Sequence, residues 1–138
     1  MPLTQDSEIK QLLENTKTVA VVGYSNKPDW PSYDIAHSLK ARGFEVYPVN
    51  PTLTNGDGEK VYASLADIPA PIDVVDIFRR PEDVPQVVED AIAIGAKAVW
   101  MQLGIVNEEA AKRAEEAGLK VVMDHCIKDE SGRLLHMG

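Results

Sequence analysis

Gly23, Ser25, Lys27 and Ser32 are the residues whose types and spacing carry the clearest chemistry. They lie in Thr18–Ser32, TVAVVGYSNKPDWPS, where five apolar or β-branched residues run straight into Gly23 and a helical pattern opens at Ser32. A buried strand, a glycine turn and a helix start, in that order, make a phosphate site. The first N–H groups of a helix have no intrahelical acceptor, and the helix dipole favours negative charge there. A glycine has no Cβ, so a ligand can come close to its main chain. Ser25 and Ser32 add hydroxyl donors, Lys27 adds a cation, and Tyr24 and Pro31 complete the loop.

Other loops offer groups that suit the same chemistry. Arg79 and Arg80 are cations that follow the apolar run ending in Phe78, with Glu82 and Asp83 close enough to pair with them. Asn50 presents an amide where a carboxylate would repel phosphate, and Pro51 and Pro81 stiffen two rims. Gln102 and Gly104 follow another apolar run. Cys126 is the single cysteine, which rules out an internal disulfide; its plain reading is a small buried hydrophobe, its sharper one a thiol that meets a ligand thiol. No Ser-His-Asp order, paired carboxylates or zinc spacing stands out. Trp100 belongs in the core, Trp30 in the ligand loop, and His37 in a structural or exposed place.

The elements that must position these residues follow from periodicity. Residues 6–15 predict a short helix capped by Asp6 or Ser7, with Ile9, Leu12 and Leu13 on one face. Strand one is Thr18–Val22, and a helix runs from Ser32 to Arg42. Strand two is Glu45–Val49, stopped by Asn50-Pro51. Residues 52–60 form a loop with turn signals at Asn55-Gly56 and Asp57-Gly58. Val61-Tyr62 is a short third strand, and residues 64–68 a helical turn. Strand four is Asp73–Phe78. A helix follows from Pro81 or Glu82, with Pro85 one turn further in. Strand five is Ala98–Met101, a helix capped by Asn107 comes next, and strand six is Leu119–Met123. The tail from Asp124 to Gly138 is expected to be irregular, with a small hairpin at Ser131-Gly132.

Strands that alternate with helices of about ten residues imply a single α/β domain over residues 1–138, doubly wound on a mainly parallel Rossmann-like sheet. The expected strand order is 3-2-1-4-5, with strand six at the far edge and helices on both faces. Ligands in such sheets bind beyond the carboxyl ends of the strands, where the order reverses. Here that crevice lies between strands one and four.

The chain has 138 residues and a net charge of −8, from 22 acidic and 14 basic residues. An acidic balance argues against nucleic acid or an anionic membrane as the main partner. No stretch approaches the ~18 apolar residues of a membrane span, and no signal peptide is visible, which points to the cytoplasm.

A dinucleotide site needs G-x-G-x-x-G and an acidic residue ending strand two for the ribose hydroxyls. This chain has Gly23-Tyr24-Ser25-Asn26 and Val49-Asn50-Pro51 instead, which disfavours NAD. Coenzyme A, with its pyrophosphate, its 3′-phosphate and a long amide-bearing arm, would use the loop-end groups well. An oxidoreductase using NADP and an interaction domain with an empty crevice are alternative readings.

The stretches AVVGYSNKPDWPSYDIAHSLKARGFEVYPVNP, VDIFRRPEDVPQVVEDAIAIGAKAVWMQLGI and GLKVVMDHCIK together resemble a small stand-alone CoA-binding protein family. They are also similar, in fold and loop placement, to the Rossmann-type CoA-binding domain of the succinyl-CoA synthetase alpha subunit and of ADP-forming acyl-CoA synthetases. The resemblance implies that Gly23, Ser25 and Ser32 meet the phosphates of CoA or an acyl-CoA and that Asn50 and Pro51 wall the crevice. It further implies that Phe78, Arg79 and Arg80 lie by the adenosine, with Gln102 and Gly104 near the pantetheine path. The synthetase's catalytic histidine belongs to a further domain, so the resemblance implies binding without ligase chemistry.

Overall fold

The computed structural model describes residues 1–53, 55, 56 and 59–137, the side chains of 55, 56 and 59 excepted. Five strands form one parallel sheet: β1 (Thr18–Val22), β2 (Glu45–Val49), β3 (Val74–Ile77), β4 (Ala98–Met101) and β5 (Lys120–Val122), in the order β2-β1-β3-β4-β5. The expected third strand shrinks to a single parallel bridge between Tyr62 and Val49, on the outer side of β2 where the order put it. The sixth expected strand is β5, at the far edge.

β1, β3 and β4 are buried along their whole length, as strands covered on both faces must be. Because side chains alternate, the sheet feeds two cores. Val75, Ile77, Val99 and Met101 face helices α3 (Val84–Ala93) and α4 (Glu108–Glu116). Val19, Val21, Val74 and Trp100 face α1 (Asp6–Glu14), α2 (Pro31–Ala41) and α5 (Ile127–Leu134). The small inner face of α4, Ala110, Ala111 and Ala114, is fully packed against the sheet side. No helix among the described residues is long and apolar enough to cross a membrane.

Several local expectations change. The tail is not irregular: residues 127–134 form α5, and Ser131-Gly132 lies inside it rather than in a hairpin. Ile127, Ser131 and Leu134 supply its buried face. Ser131 can be buried because its hydroxyl accepts from Arg42 Nη1 at 2.7 Å and donates to the Lys128 carbonyl at 3.1 Å. Gly132 fits mid-helix because a Cβ there would come within 3.1 Å of the Met137 carbonyl oxygen and 3.3 Å of Arg42 Nη2.

At α1, neither Asp6 nor Ser7 is the cap; Gln5 occupies that position without a side-chain bond, and Asp6 instead receives both Arg133 Nη atoms at 2.8 Å. Asn55-Gly56 is not a turn but half of a two-residue antiparallel ribbon with Glu59–Lys60. The Asp57-Gly58 turn lies outside the described residues. Pro81 opens a 3₁₀ turn over Pro81–Asp83, and α3 begins only at Val84. Pro85 therefore sits in the first turn of α3, where its missing N–H costs nothing.

Candidate functional site

The carboxyl ends of β1 and β3 meet at Gly23. Its φ is +88°, and a Cβ built there would fall on the Phe78 carbonyl oxygen and within 3.2 Å of Arg79 Cδ. The close approach expected of a ligand is thus already made by the chain's own backbone. The Gly23 and Tyr24 N–H groups both donate to the Val49 carbonyl, at 3.0 and 3.2 Å, which fixes the turn against the end of β2.

The rest of the loop braces itself. Ser25 N–H donates to Ser32 Oγ at 2.9 Å, and Lys27 N–H donates to Ser25 Oγ at 3.2 Å. Pro31 opens α2, and the Tyr33 and Asp34 N–H groups donate back to Trp30. The amides of Asn26 and Ser32 have no acceptor among the described residues. Tyr24 contributes main chain only: its ring is fully buried, 6.4 Å from the rings of both Tyr33 and His37. His37 is half-buried and packs edge-on against Tyr33, a structural place.

Two clefts flank this turn and share Gly23 as a wall. One, of about 270 Å³, is lined by Ser25, Asn26, Lys27, Trp30, Asn50 and Leu53 on the α2 side. The other, of about 320 Å³, opens on the α3 side between Pro51, Ser64, Arg79, Asp83 and Gln86. Larger grooves exist at the opposite end of the sheet, around Gly43 and Gly95, far along the strands from the topological switch.

Polar residues expected to reach a ligand also tie loop to loop. Asn50 Nδ2 donates to the Tyr24 carbonyl at 2.8 Å, while its Oδ1 accepts from Thr52 N–H and Oγ1. Gln102 is buried, and its Oε1 accepts the Ile127 N–H at 3.0 Å. Gly104 N–H donates to Asp124 Oδ1 at 2.7 Å. Asn107 caps α4 through Ala110 N–H and, from its Nδ2, reaches the Pro81 carbonyl at 2.9 Å. The loops around the crevice are therefore tied to one another through these side chains.

The arginines take the pairing that their acidic neighbours offer. Arg79 lies 3.6 Å from Asp83, and Arg80 lies 3.2 Å from Glu82 and 3.4 Å from Asp83. Arg79 lines the larger cleft, whereas Arg80 points into solvent. Trp100 is core, with Nε1 bonded to the His125 carbonyl, and Trp30 is exposed at the smaller cleft. Cys126 is half-buried at the start of α5, packed against the α1/α2/α5 core.

One residue escaped the sequence reading. Asp76, in the middle of β3 between Val21 and Trp100, is fully buried, and neither carboxyl oxygen has a hydrogen-bond partner among the described residues. Burial pushes its carboxyl well above the usual carboxylate range. The signal was the acid in the otherwise apolar run Val74-Val75-Asp76-Ile77. Asp73 shows the opposite outcome. Burial raises its carboxyl, but the Lys17 and Thr18 N–H groups, helped by Lys97, hold it below the usual value.

Comparison with known proteins agrees with this architecture. The chain is 43% identical over 122 residues to YneT of Bacillus subtilis, covering 88% of this chain and 90% of YneT. It is 35% identical over 116 residues to acetate–CoA ligase [ADP-forming] II of Archaeoglobus fulgidus, covering 81% of this chain but only 17% of the ligase. A solved structure of a protein from Pyrococcus horikoshii OT3 superposes with a TM-score of 0.92 at 42% identity, over 98% of this chain and 96% of that one. Residues 17–131 match the family described as CoA binding domain, and the chain belongs to that family.

Proposed function

We propose that the domain binds coenzyme A or an acyl-CoA across the Gly23 turn and carries out no chemistry of its own on the ligand. The observation that carries this reading is the shared wall: one glycine turn separates a cleft holding Lys27 from a cleft holding Arg79. A ligand with a pyrophosphate in the middle and a different group at each end suits two clefts that meet at a helix start.

In this reading the pyrophosphate takes the Asn26 and Ser32 amides with Lys27, next to Ser25, Tyr24 and Pro31. The adenosine end enters the larger cleft between Pro51 and Arg79, beside Phe78, Arg80 and Pro81. The pantetheine arm leaves toward Gln102 and Gly104. Gly23 and Asn50 serve by shaping the floor. Membership of the CoA binding domain family and the ligase relatives support the ligand class.

Calorimetry with CoA, NADP, NAD and ATP in parallel tests the reading. CoA should bind one per chain and tightest of the four. NADP binding tightest would replace it with a dinucleotide site, and no heat with any of them would leave an interaction domain.

A further inference from the structure

The two clefts that share the Gly23 wall differ in charge. The larger one is lined by the acids Glu82, Asp83 and Asp90 against one cation, Arg79, which Asp83 already pairs at 3.6 Å. No carboxylate among the described residues lines the smaller one. Asp29, the one acid between Gly23 and Pro31, lines neither cleft, and Asp34 in the first turn of α2 is taken by Lys128 at 2.8 Å. The Lys27 ammonium therefore stands at the smaller cleft with no ion-pair partner among the described residues, in a chain of net charge −8.

Trp30 is part of the wall of that same cleft. Its main chain is fixed: its N–H donates to the Lys27 carbonyl at 3.0 Å, and its carbonyl accepts from Tyr33 and Asp34. Its side chain is 56% exposed and enters no ring pair, cation contact or hydrogen bond among the described residues. An indole N–H can only donate, as can an ammonium. With the open amides of Asn26 and Ser32, the loop thus carries four unspent donors. A group that only accepts satisfies them all, and a diphosphate offers such oxygens on two adjacent centres. The flat apolar ring beside it also keeps water from the Lys27–phosphate contact, which strengthens that contact.

Resting on the CoA reading above, we propose that Trp30 is a ligand-contact residue of the smaller cleft, its indole N–H donating to the diphosphate beside Lys27. The ligand chemistry read here is the diphosphate itself, shared by CoA, dephospho-CoA and ADP. The 3′-phosphate and the pantetheine arm lie outside this contact.

The test joins calorimetry to tryptophan fluorescence with CoA, dephospho-CoA and ADP, on the native protein and on Trp30→Phe, which keeps a ring and loses the donor. Trp100, the other tryptophan, is fully buried with its Nε1 bonded to the His125 carbonyl, so an external quencher reports Trp30. Only backbone atoms of Trp30 hold the loop, so the variant should melt with the native protein, which circular dichroism checks. In the native protein each ligand should shift the emission to the blue and reduce acrylamide quenching. In Trp30→Phe the emission should ignore all three ligands, and each should bind roughly tenfold more weakly, the lower end for a hydrogen bond to a charged group. Native affinity in Trp30→Phe, or native emission and quenching that ignore saturating CoA, overturns the Trp30 contact and leaves the CoA reading standing. A loss confined to CoA and absent with dephospho-CoA would put the indole on the 3′-phosphate and overturn the contact as well. No binding of CoA by the native protein removes the CoA reading and the contact together.

Discussion

Gly23 and Phe78 touch through their backbones: the space that a Cβ at position 23 would occupy is filled by the Phe78 carbonyl. This contact brings the ends of β1 and β3 together at the topological switch and creates the wall between the two clefts. The glycine is required by the fold before any ligand arrives.

A Gly23→Ala variant should therefore lose stability, by about 3 kcal/mol or more, from positive φ and backbone overlap together. Gly95 also has positive φ, +73°, but open space around its missing Cβ. Gly95→Ala should cost only the backbone term, about 1–2 kcal/mol. Urea unfolding of the two variants measures the difference; equal costs would show that the Phe78 contact relaxes freely.

The parts legible from sequence were those where one physical effect dominates. Strands buried on both faces, such as Val19-Ala20-Val21-Val22, are continuous apolar runs, and the switch point followed from their alternation with helices. α5 was illegible because its inner face includes Ser131, a polar residue made buriable by Arg42 from a distant part of the chain. The same ambiguity affects the crevice. Ser32 sits at the start of α2 and Asn50 and Gln102 at strand ends, as expected, but sequence cannot say whether a polar side chain there faces a ligand or a neighbouring loop. In each case at least one of its atoms braces the next loop.

Asp76 should make stability fall with rising pH relative to a neutral replacement. Its carboxyl is raised in the folded state, so the native chain keeps a proton that the unfolded chain releases near its ordinary value of about 3.9. Below that pH the two states bind equal protons. As pH rises through it, the native protein loses stability until the folded value is passed. Asp76→Asn should therefore be more stable than the native protein at pH 7, with the advantage shrinking toward pH 3. Denaturation midpoints across this range report it; a variant less stable at pH 7 would mean that the carboxylate is accommodated as an ion.

Asn107 performs two tasks that substitution separates. Asn107→Asp keeps the cap on Ala110 and loses only the donor to Pro81, whereas Asn107→Ala loses both. The alanine should cost about 1–2 kcal/mol and the aspartate about 1 kcal/mol less than that, because the cap is retained beside the positive helix end. Chemical denaturation distinguishes them, and identical losses would assign the whole effect to the Pro81 tie.

Arg79 should exchange its partner for phosphate. Its exposed pairing with Asp83 is worth about 0–1 kcal/mol, whereas a hydrogen bond to a phosphate contributes about 1.5–3 kcal/mol. Arg79→Ala should weaken CoA by the larger amount. If Arg79 meets the 3′-phosphate, dephospho-CoA should lose the same increment against the native protein and little more against the variant; full additivity would break that assignment.

The central claim, that CoA lies across the Gly23 turn, is tested most directly by amide chemical-shift mapping during a CoA titration of the native protein. The largest shifts are expected at Asn26, Ser32 and the other non-proline amides of residues 23–30, 50–53 and 78–83, with Gly43, Gly95 and Gly118 at the opposite end of the sheet unmoved. Shifts concentrated around Gly43 or Gly95 with the Gly23 turn silent would contradict it.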